Sequence, residues 1–190
     1  MRIGIVVGSI RDGRRGEQVG RWALEHASSR GDAVYEMIDV RAFDVPLLTS
    51  SIHPMRAGGQ YVSAAVTEWS RTVDRCDGFV FVTPEYNHGV PGAFKNAVDC
   101  LGPEWVGKTI GFVSYGTEGG VRAVEQWRNI AANLQMLDVR QQVVLSIFTD
   151  FDEEGRLAAS ERKATDLSTL LDQLTDLTRR LLTAAEQSTP

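Results

Sequence analysis

Three arginines and a serine crowd residues 8–18, which read Gly8-Ser9-Ile10-Arg11-Asp12-Gly13-Arg14-Arg15-Gly16-Glu17-Gln18. Guanidinium forks match phosphate oxygens in shape and charge, and the Ser9 hydroxyl adds another donor. An apolar run precedes the stretch and an amphipathic one follows it, so it leads from a strand into a helix. The free N–H groups and partial positive charge of a helix N-terminus favour anions. Phosphate binding is therefore the chemistry to expect, and a solvated basic turn is the bland alternative. Two familiar phosphate loops do not match: there is no Gly-Lys-Ser/Thr ending and no G-x-G-x-x-G. Asp39 ends the second apolar run, where a ribose-binding acid would sit in a dinucleotide fold. Without the glycine pattern it reads as a strand-end residue.

A second stretch, residues 84–99, reads Pro84-Glu85-Tyr86-Asn87-His88-Gly89-Val90-Pro91-Gly92-Ala93-Phe94-Lys95-Asn96-Ala97-Val98-Asp99. A loop with an aromatic, an amide and a nearby glycine can hold a flat heteroaromatic ring, its backbone N–H and C=O groups meeting the polar edge. The alternative is a plain connection. A third, Gly-rich loop covers residues 115–120, after Ser114.

These loops need elements to position them. Residues 3–7 form a β-branched run without strict alternation, as in a strand buried on both faces. Val19, Trp22, Ala23 and Ala27 recur at helical spacing, and Gly31 closes that helix. Residues 33–40 read as a second strand. Residues 41–59 are an irregular connection with Pro46, Pro54 and Gly58-Gly59, carrying one short turn of helix. Tyr61, Ala65, Trp69, Val73 and Cys76 mark the next helix, and residues 78–83 a strongly apolar strand. Pro91 fits the first turn of a helix whose apolar face is Phe94, Ala97, Val98 and Leu101. Residues 109–114 are a fourth strand, followed by a helix through Val121, Val124, Arg128 and Ala131 to about Leu134. Residues 139–146 are a fifth strand. Leu167, Leu170, Leu171, Leu174, Leu177 and Leu181 mark a last helix. Five strands alternating with five helices predict a doubly wound five-stranded parallel sheet with helices on both faces. Ligands of such folds sit beyond the carboxyl ends of the strands, near the switch point. The three unusual loops all fall there. Residues 1–187 read as a single domain and residues 188–190 as a frayed tail.

Composition narrows the classes. The 190 residues carry a net charge of −5, which argues against a nucleic-acid-binding face. No apolar run is long enough to span a bilayer and no signal peptide opens the chain, so no membrane partner and a cytoplasmic location are the expectations. Cys76 and Cys100 carry no motif and read as buried bystander thiols. His26, His53 and His88 stand apart, without ligand spacing, so no metal is expected. His26 shares a helical stripe with Val19 and Ala23 and reads as a packing residue. A bland role is also read for His88.

The second stretch resembles the P-E-Y-N-x-x-x-P-G-x-x-K-N-A-x-D signature of the NADPH-dependent FMN reductase family, and the first resembles that family's G-S-x-R opening. Asp39 followed by Phe43-Asp44-Val45-Pro46-Leu47-Leu48, and Ser114-Tyr115-Gly116 followed by Gly119-Gly120-Val121-Arg122, extend the likeness over roughly residues 3–132. The resemblance implies a flavodoxin-like fold, FMN as cofactor, and NADPH or NADH as co-substrate. It implies a small-molecule electron acceptor (flavin, quinone, azo compound or similar) and a homodimer or homotetramer. By position, Ser9, Arg11, Arg14, Arg15, Gly16, Glu17 and Gln18 should surround the phosphate. Pro84, Glu85, Tyr86 and Asn87 should line the ring, with Ser114, Tyr115 and Gly116 on its far side. The first loop departs from the commoner pattern, which has Ser at Arg14 and Asn at Gly16. The competing class is a flavodoxin-type electron carrier without its own turnover. Its first loop usually holds phosphate with Ser and Thr, and it lacks the P-E-Y-N loop. A hydrolase reading finds no G-x-S-x-G.

Overall fold

The apolar runs become five strands: β1 (Arg2–Val7), β2 (Val34–Asp39), β3 (Gly78–Pro84), β4 (Thr109–Gly116) and β5 (Leu137–Ser146). The computed structural model of the chain describes residues 1–187; the tail expected to fray, residues 188–190, lies outside them. All neighbouring strands pair in parallel, in the order β2-β1-β3-β4-β5. The helices are α1 (Gly16–Ser28), α2 (Ala64–Asp74), α3 (Gly92–Asp99), α4 (Val121–Asn133) and α5 (Glu161–Gln187).

Side-chain alternation along the strands divides the core into two layers. Phe79 and Phe81 of β3 face α2, α3 and α4, packing with Trp69, Phe94, Trp105 and Trp127. Val80 and Val82 face the other way, toward Val19 and Ala23 of α1 and Leu170, Leu171 and Leu174 of α5. Both faces of β3 are thus dry, and its seven residues are all buried. The expected doubly wound, flavodoxin-like arrangement is the one observed.

Differences from expectation lie at the element ends. β4 runs to Gly116, because Tyr115 and Gly116 keep pairing with Leu145 and Ser146. The third loop therefore starts at Thr117. β5 begins at Leu137, which pairs with Thr109, and a register shift between Ile110 and Phe112 follows. The connection after β2 carries two tight helical turns, Val40–Phe43 and Pro54–Arg56, each begun by a side-chain cap from Asp39 or His53. Pro91 precedes α3 with extended backbone instead of opening its first turn.

Candidate functional site

The strand order reverses between β1 and β3, and the loops leaving their carboxyl ends part there. A cavity of about 340 Å³ opens at this point. Ser9, Arg11, Asp12, Gly13, Arg14 and Arg15 line it from the first loop; Pro84, Glu85 and Tyr86 from the second; Tyr115, Gly116 and Thr117 from the third. Ile147, after β5, completes it. A larger cavity, about 430 Å³, runs along residues 46–63 to Cys100, but no charged side chain lines it. The groups able to do chemistry are at the smaller one.

The first loop is held at both ends. At Gly8 a Cβ would fall 1.9 Å from the Phe94 ring, so only glycine lets α3 pack beneath the loop. Arg14 turns away from solvent, its side chain 7% exposed, and grips both carboxylate oxygens of Asp39. It also donates to the Ser9 carbonyl at 2.6 Å. The hydrogen bonds to Asp39 raise the Arg14 pKa despite its burial. Asp39 further accepts from the Arg41 N–H at 3.0 Å, and Arg41 pairs with Asp12 at 2.8 Å. These pairings leave Arg11 and Arg15 without a carboxylate partner among the described residues. Arg15 lies 4.8 Å over the Phe151 ring and Arg11 5.6 Å over Tyr86. The N–H groups of Gly16, Glu17 and Gln18 precede the first α1 bond, from the Val19 N–H to the Arg15 carbonyl at 3.2 Å, as the first turn of a helix leaves them.

The second loop is a tight hairpin. Tyr86 and Gly89 exchange both backbone hydrogen bonds at 3.0 Å. Between them Asn87 (φ 51°) and His88 (φ 66°) take left-handed backbone, as two-residue hairpins require. Gln126 of α4 braces the turn, donating to the His88 carbonyl at 2.7 Å and accepting from the Val90 N–H at 3.3 Å. Glu85 accepts from the Arg122 N–H at 3.0 Å and its guanidinium at 2.9 Å, which ties the loop to the first turn of α4. Asn96 donates to the Pro46 carbonyl and accepts from the Leu48 N–H, both at 2.9 Å, clamping the irregular connection onto α3. The first two loops meet where Ser9 Oγ and the Tyr86 hydroxyl share a hydrogen bond of 2.7 Å.

Tyr115 reaches from β4 toward the start of α1. Its hydroxyl is buried and makes no hydrogen bond of normal geometry among the described residues, although the Ser9 hydroxyl and the Gly16 N–H lie nearby. It fills the space of a side chain at Gly16, whose Cβ would come within 2.7 Å of it. That contact accounts for glycine at this position. Burial, with the neighbouring Tyr86, raises the Tyr115 pKa, so the phenol stays protonated.

Nine of the expected site residues therefore meet at the cavity: Ser9, Arg11, Arg14, Arg15, Pro84, Glu85, Tyr86, Tyr115 and Gly116. Gly16, Glu17, Gln18, Asn87 and Ser114 do not line it. Glu17 pairs with Arg21 at 2.6 Å. Gln18 donates to the Gly155 carbonyl at 3.3 Å and accepts from the Leu157 N–H at 3.0 Å. Ser114 is fully buried and donates to the Gly119 carbonyl at 2.7 Å. The sequence reasoning missed Asp39 as the partner of Arg14, and it missed the loop after β5, which holds Arg15 and Gln18. Phe151 and Gly155 were the available signals in that loop. His26 takes a packing role as read, sharing a 2.8 Å hydrogen bond with Ser168, and Glu85, expected at the ring, is also engaged by Arg122. Among the described residues, no group of His, Cys, Asp and Glu could hold a metal ion, and no helix is long and apolar enough to cross a membrane.

The family model described as NADPH-dependent FMN reductase matches residues 1–150. The chain is 32% identical to an NAD(P)H-dependent FMN reductase of Nectria sp, over 94% of this chain and 98% of that one. It is 30% identical to a quinone reductase of Pseudomonas putida, over 82% and 83%. The solved structure of FerB, a flavoenzyme NAD(P)H:(acceptor) oxidoreductase from Paracoccus denitrificans, superposes with a TM-score of 0.71 at 19% identity, covering 94% of this chain and 97% of that one. That last likeness is one of fold.

Proposed function

The chain belongs to the NADPH-dependent FMN reductase family, and from that premise we propose that it takes reducing equivalents from NADH or NADPH and passes them to a small-molecule acceptor such as a flavin, quinone or azo compound. It is an oxidoreductase with FMN as its cofactor. The observation that carries the reading is the first loop: two guanidinium groups without carboxylate partners among the described residues, beside a helix N-terminus, at the switch point of the sheet. The residues present fit FMN. A phosphate accepts hydrogen bonds only, and the free groups at this end of the cavity are donors.

When bound, FMN supplies the hydride and electron chemistry. The chain binds, orients and shields. Arg11 and Arg15, with the first N–H groups of α1, hold the phosphate, while the Arg14–Asp39 pair fixes the loop that carries them. Pro84, Glu85 and Tyr86 border the ring, and Gly116 lies toward its far side. The hairpin, braced by Gln126 and Glu85, holds its shape without a ligand, so the ring meets a preformed border that needs no reorganisation. No side chain has to act as a base: the acid in the second loop, Glu85, is engaged by Arg122.

The proposal includes a cytoplasmic location and a homodimer or homotetramer. The apolar face of α3 is spent on the core of the single chain, where Phe94, Ala97 and Val98 are buried. Support for assembly comes instead from the adjoining connection, where Leu47, Leu48, Ile52, Met55 and Val62 are exposed. The decisive experiment titrates the protein with FMN and riboflavin and then adds NADPH and an acceptor. FMN bound near one per chain in preference to riboflavin, with catalytic oxidation of NADPH, is the expected result. Equal affinity for the two flavins would overturn the phosphate assignment, and flavin reduction without turnover would mean an electron carrier.

A further inference from the structure

We propose that the Tyr115 hydroxyl is a ligand of the cofactor's phosphate, which makes Tyr115 a residue that selects FMN over riboflavin. The inference rests on the FMN reading above and changes the expected place of this side chain from the ring to the phosphate end. Among the described residues, the Tyr115 hydroxyl is the one buried side-chain polar atom with no hydrogen bond. An orphan of this kind is destabilising, and folded proteins rarely leave one without a partner or a purpose. The ring is 6% exposed, yet it lines the same cavity as Ser9, Arg11 and Arg15.

The neighbourhood identifies the missing partner. The hydroxyl sits against Gly16, at the first residue of a 13-residue helix whose opening N–H groups are free of helical bonds. Arg15 and Arg11 bring unpaired guanidinium groups to the same cavity. The Ser9 hydroxyl, which could also accept, bonds to Tyr86 at 2.7 Å and makes no hydrogen bond of normal geometry to Tyr115. Phenol, amide and guanidinium are all donors here, so the partner they share must be an acceptor carrying negative charge. A phosphate monoester is such a group, and riboflavin lacks it. Gly16 belongs to the same device, because any side chain there would push the phenol away from the helix end.

The test is Tyr115→Phe, read by flavin-fluorescence titration of the full-length apoprotein with FMN and with riboflavin. Loss of a charge-assisted hydrogen bond should weaken FMN roughly 10- to 100-fold and leave riboflavin unchanged. The melting temperature of the apoprotein should hold or rise, because no intramolecular bond is lost. Equal weakening of both flavins would show that the side chain serves the ring, and no weakening of either would show that the hydroxyl meets only water. Both results overturn the proposal. A wild-type protein that does not distinguish FMN from riboflavin would instead remove the reading beneath it. A second measurement needs no variant: the Tyr115 hydroxyl proton, followed by NMR in the wild-type chain, should become protected from exchange with FMN or inorganic phosphate but not with riboflavin. Its continued rapid exchange with FMN bound would also overturn the proposal.

Discussion

Arg11 and Arg14 stand three positions apart in one loop, and the structure gives them opposite roles. Arg14 is nearly buried, bonded to both oxygens of Asp39 and to the Ser9 carbonyl. Arg11 is exposed, and among the described residues its one ring or charge contact is the Tyr86 ring at 5.6 Å. Replacing Arg14 by Met removes hydrogen bonds to a charged group, each worth about 1.5–3 kcal/mol at full burial. Asp39 is 24% exposed and can be partly rehydrated, which brings the net cost to about 2 kcal/mol. For a domain of this size that lowers Tm by roughly 4–8 °C. Replacing Arg11 by Ala removes a cation–π contact near its distance limit, worth at most about 0.5 kcal/mol at an exposed site, so Tm should barely move. The ligand assay should reverse the order. Arg11→Ala should weaken FMN by about 1.5–3 kcal/mol, more than tenfold, and leave riboflavin unaffected. Arg14→Met should weaken both flavins alike, through the loosened loop. Thermal melts of the two apoproteins and paired flavin titrations give all the numbers. An Arg14 variant with unchanged Tm and a selective loss of FMN would refute the division of labour.

Glu104 is 5% exposed and accepts from the Tyr61 and Ser70 hydroxyls, both at 2.6 Å, and from the Gly102 N–H at 3.0 Å. Burial opposes its charge, but these donors prevail and hold its pKa below the usual value of 4.5. Its stabilisation is therefore complete above the unfolded-state pKa and is lost as pH falls through the lower folded value. Glu104→Gln should cost about 1–3 kcal/mol at neutral pH and less in acid, measured by urea unfolding at both; a cost that grows in acid would contradict the assignment. Burial pushes the Cys76 thiol up to about 12 and raises Cys100 as well. Neither should react with a disulfide reagent near pH 8 until the chain unfolds, and one rapid equivalent of reaction would show otherwise. His88 offers its carbonyl to Gln126 and leaves its ring exposed. His88→Ala should therefore change the rate of flavin bleaching by NADPH less than about tenfold in stopped flow, whereas a thousandfold fall with FMN still bound would make it a catalytic residue.

What the sequence disclosed depended on the range of the interaction. Strands and helices were readable because their apolar periods are local: Phe79 to Val82 alternate between the two core layers as a fully buried strand must, and Leu167 to Leu174 keep helical spacing. The loops were readable because glycine, proline and arginine cluster within them. The partner choices were not. Asp39 lies 25 positions from Arg14, and no spacing rule joins them. Tyr115 looked like a loop residue because glycines follow it, yet the ladder to Leu145 holds it in β4 and turns its side chain under α1. The anchor that β5's loop gives to Gln18 spans 137 positions and exists only once the sheet has formed.

The Arg14–Asp39 pair also settles an electrostatic problem. A phosphate monoester carries about −1.5 to −2 charges near neutral pH. Arg11 and Arg15, left free, match that charge. Were Arg14 unpaired as well, three like charges would share one loop before any ligand arrived, and their repulsion in a partly desolvated cavity would work against folding. Asp39 neutralises the middle arginine and converts it into a strut. Its two bonds to β2's end and one to the Ser9 carbonyl fix the path on which the other two arginines stand. Charge for the ligand and rigidity for the loop thus come from the same residue type, and what separates them is whether a carboxylate lies within reach.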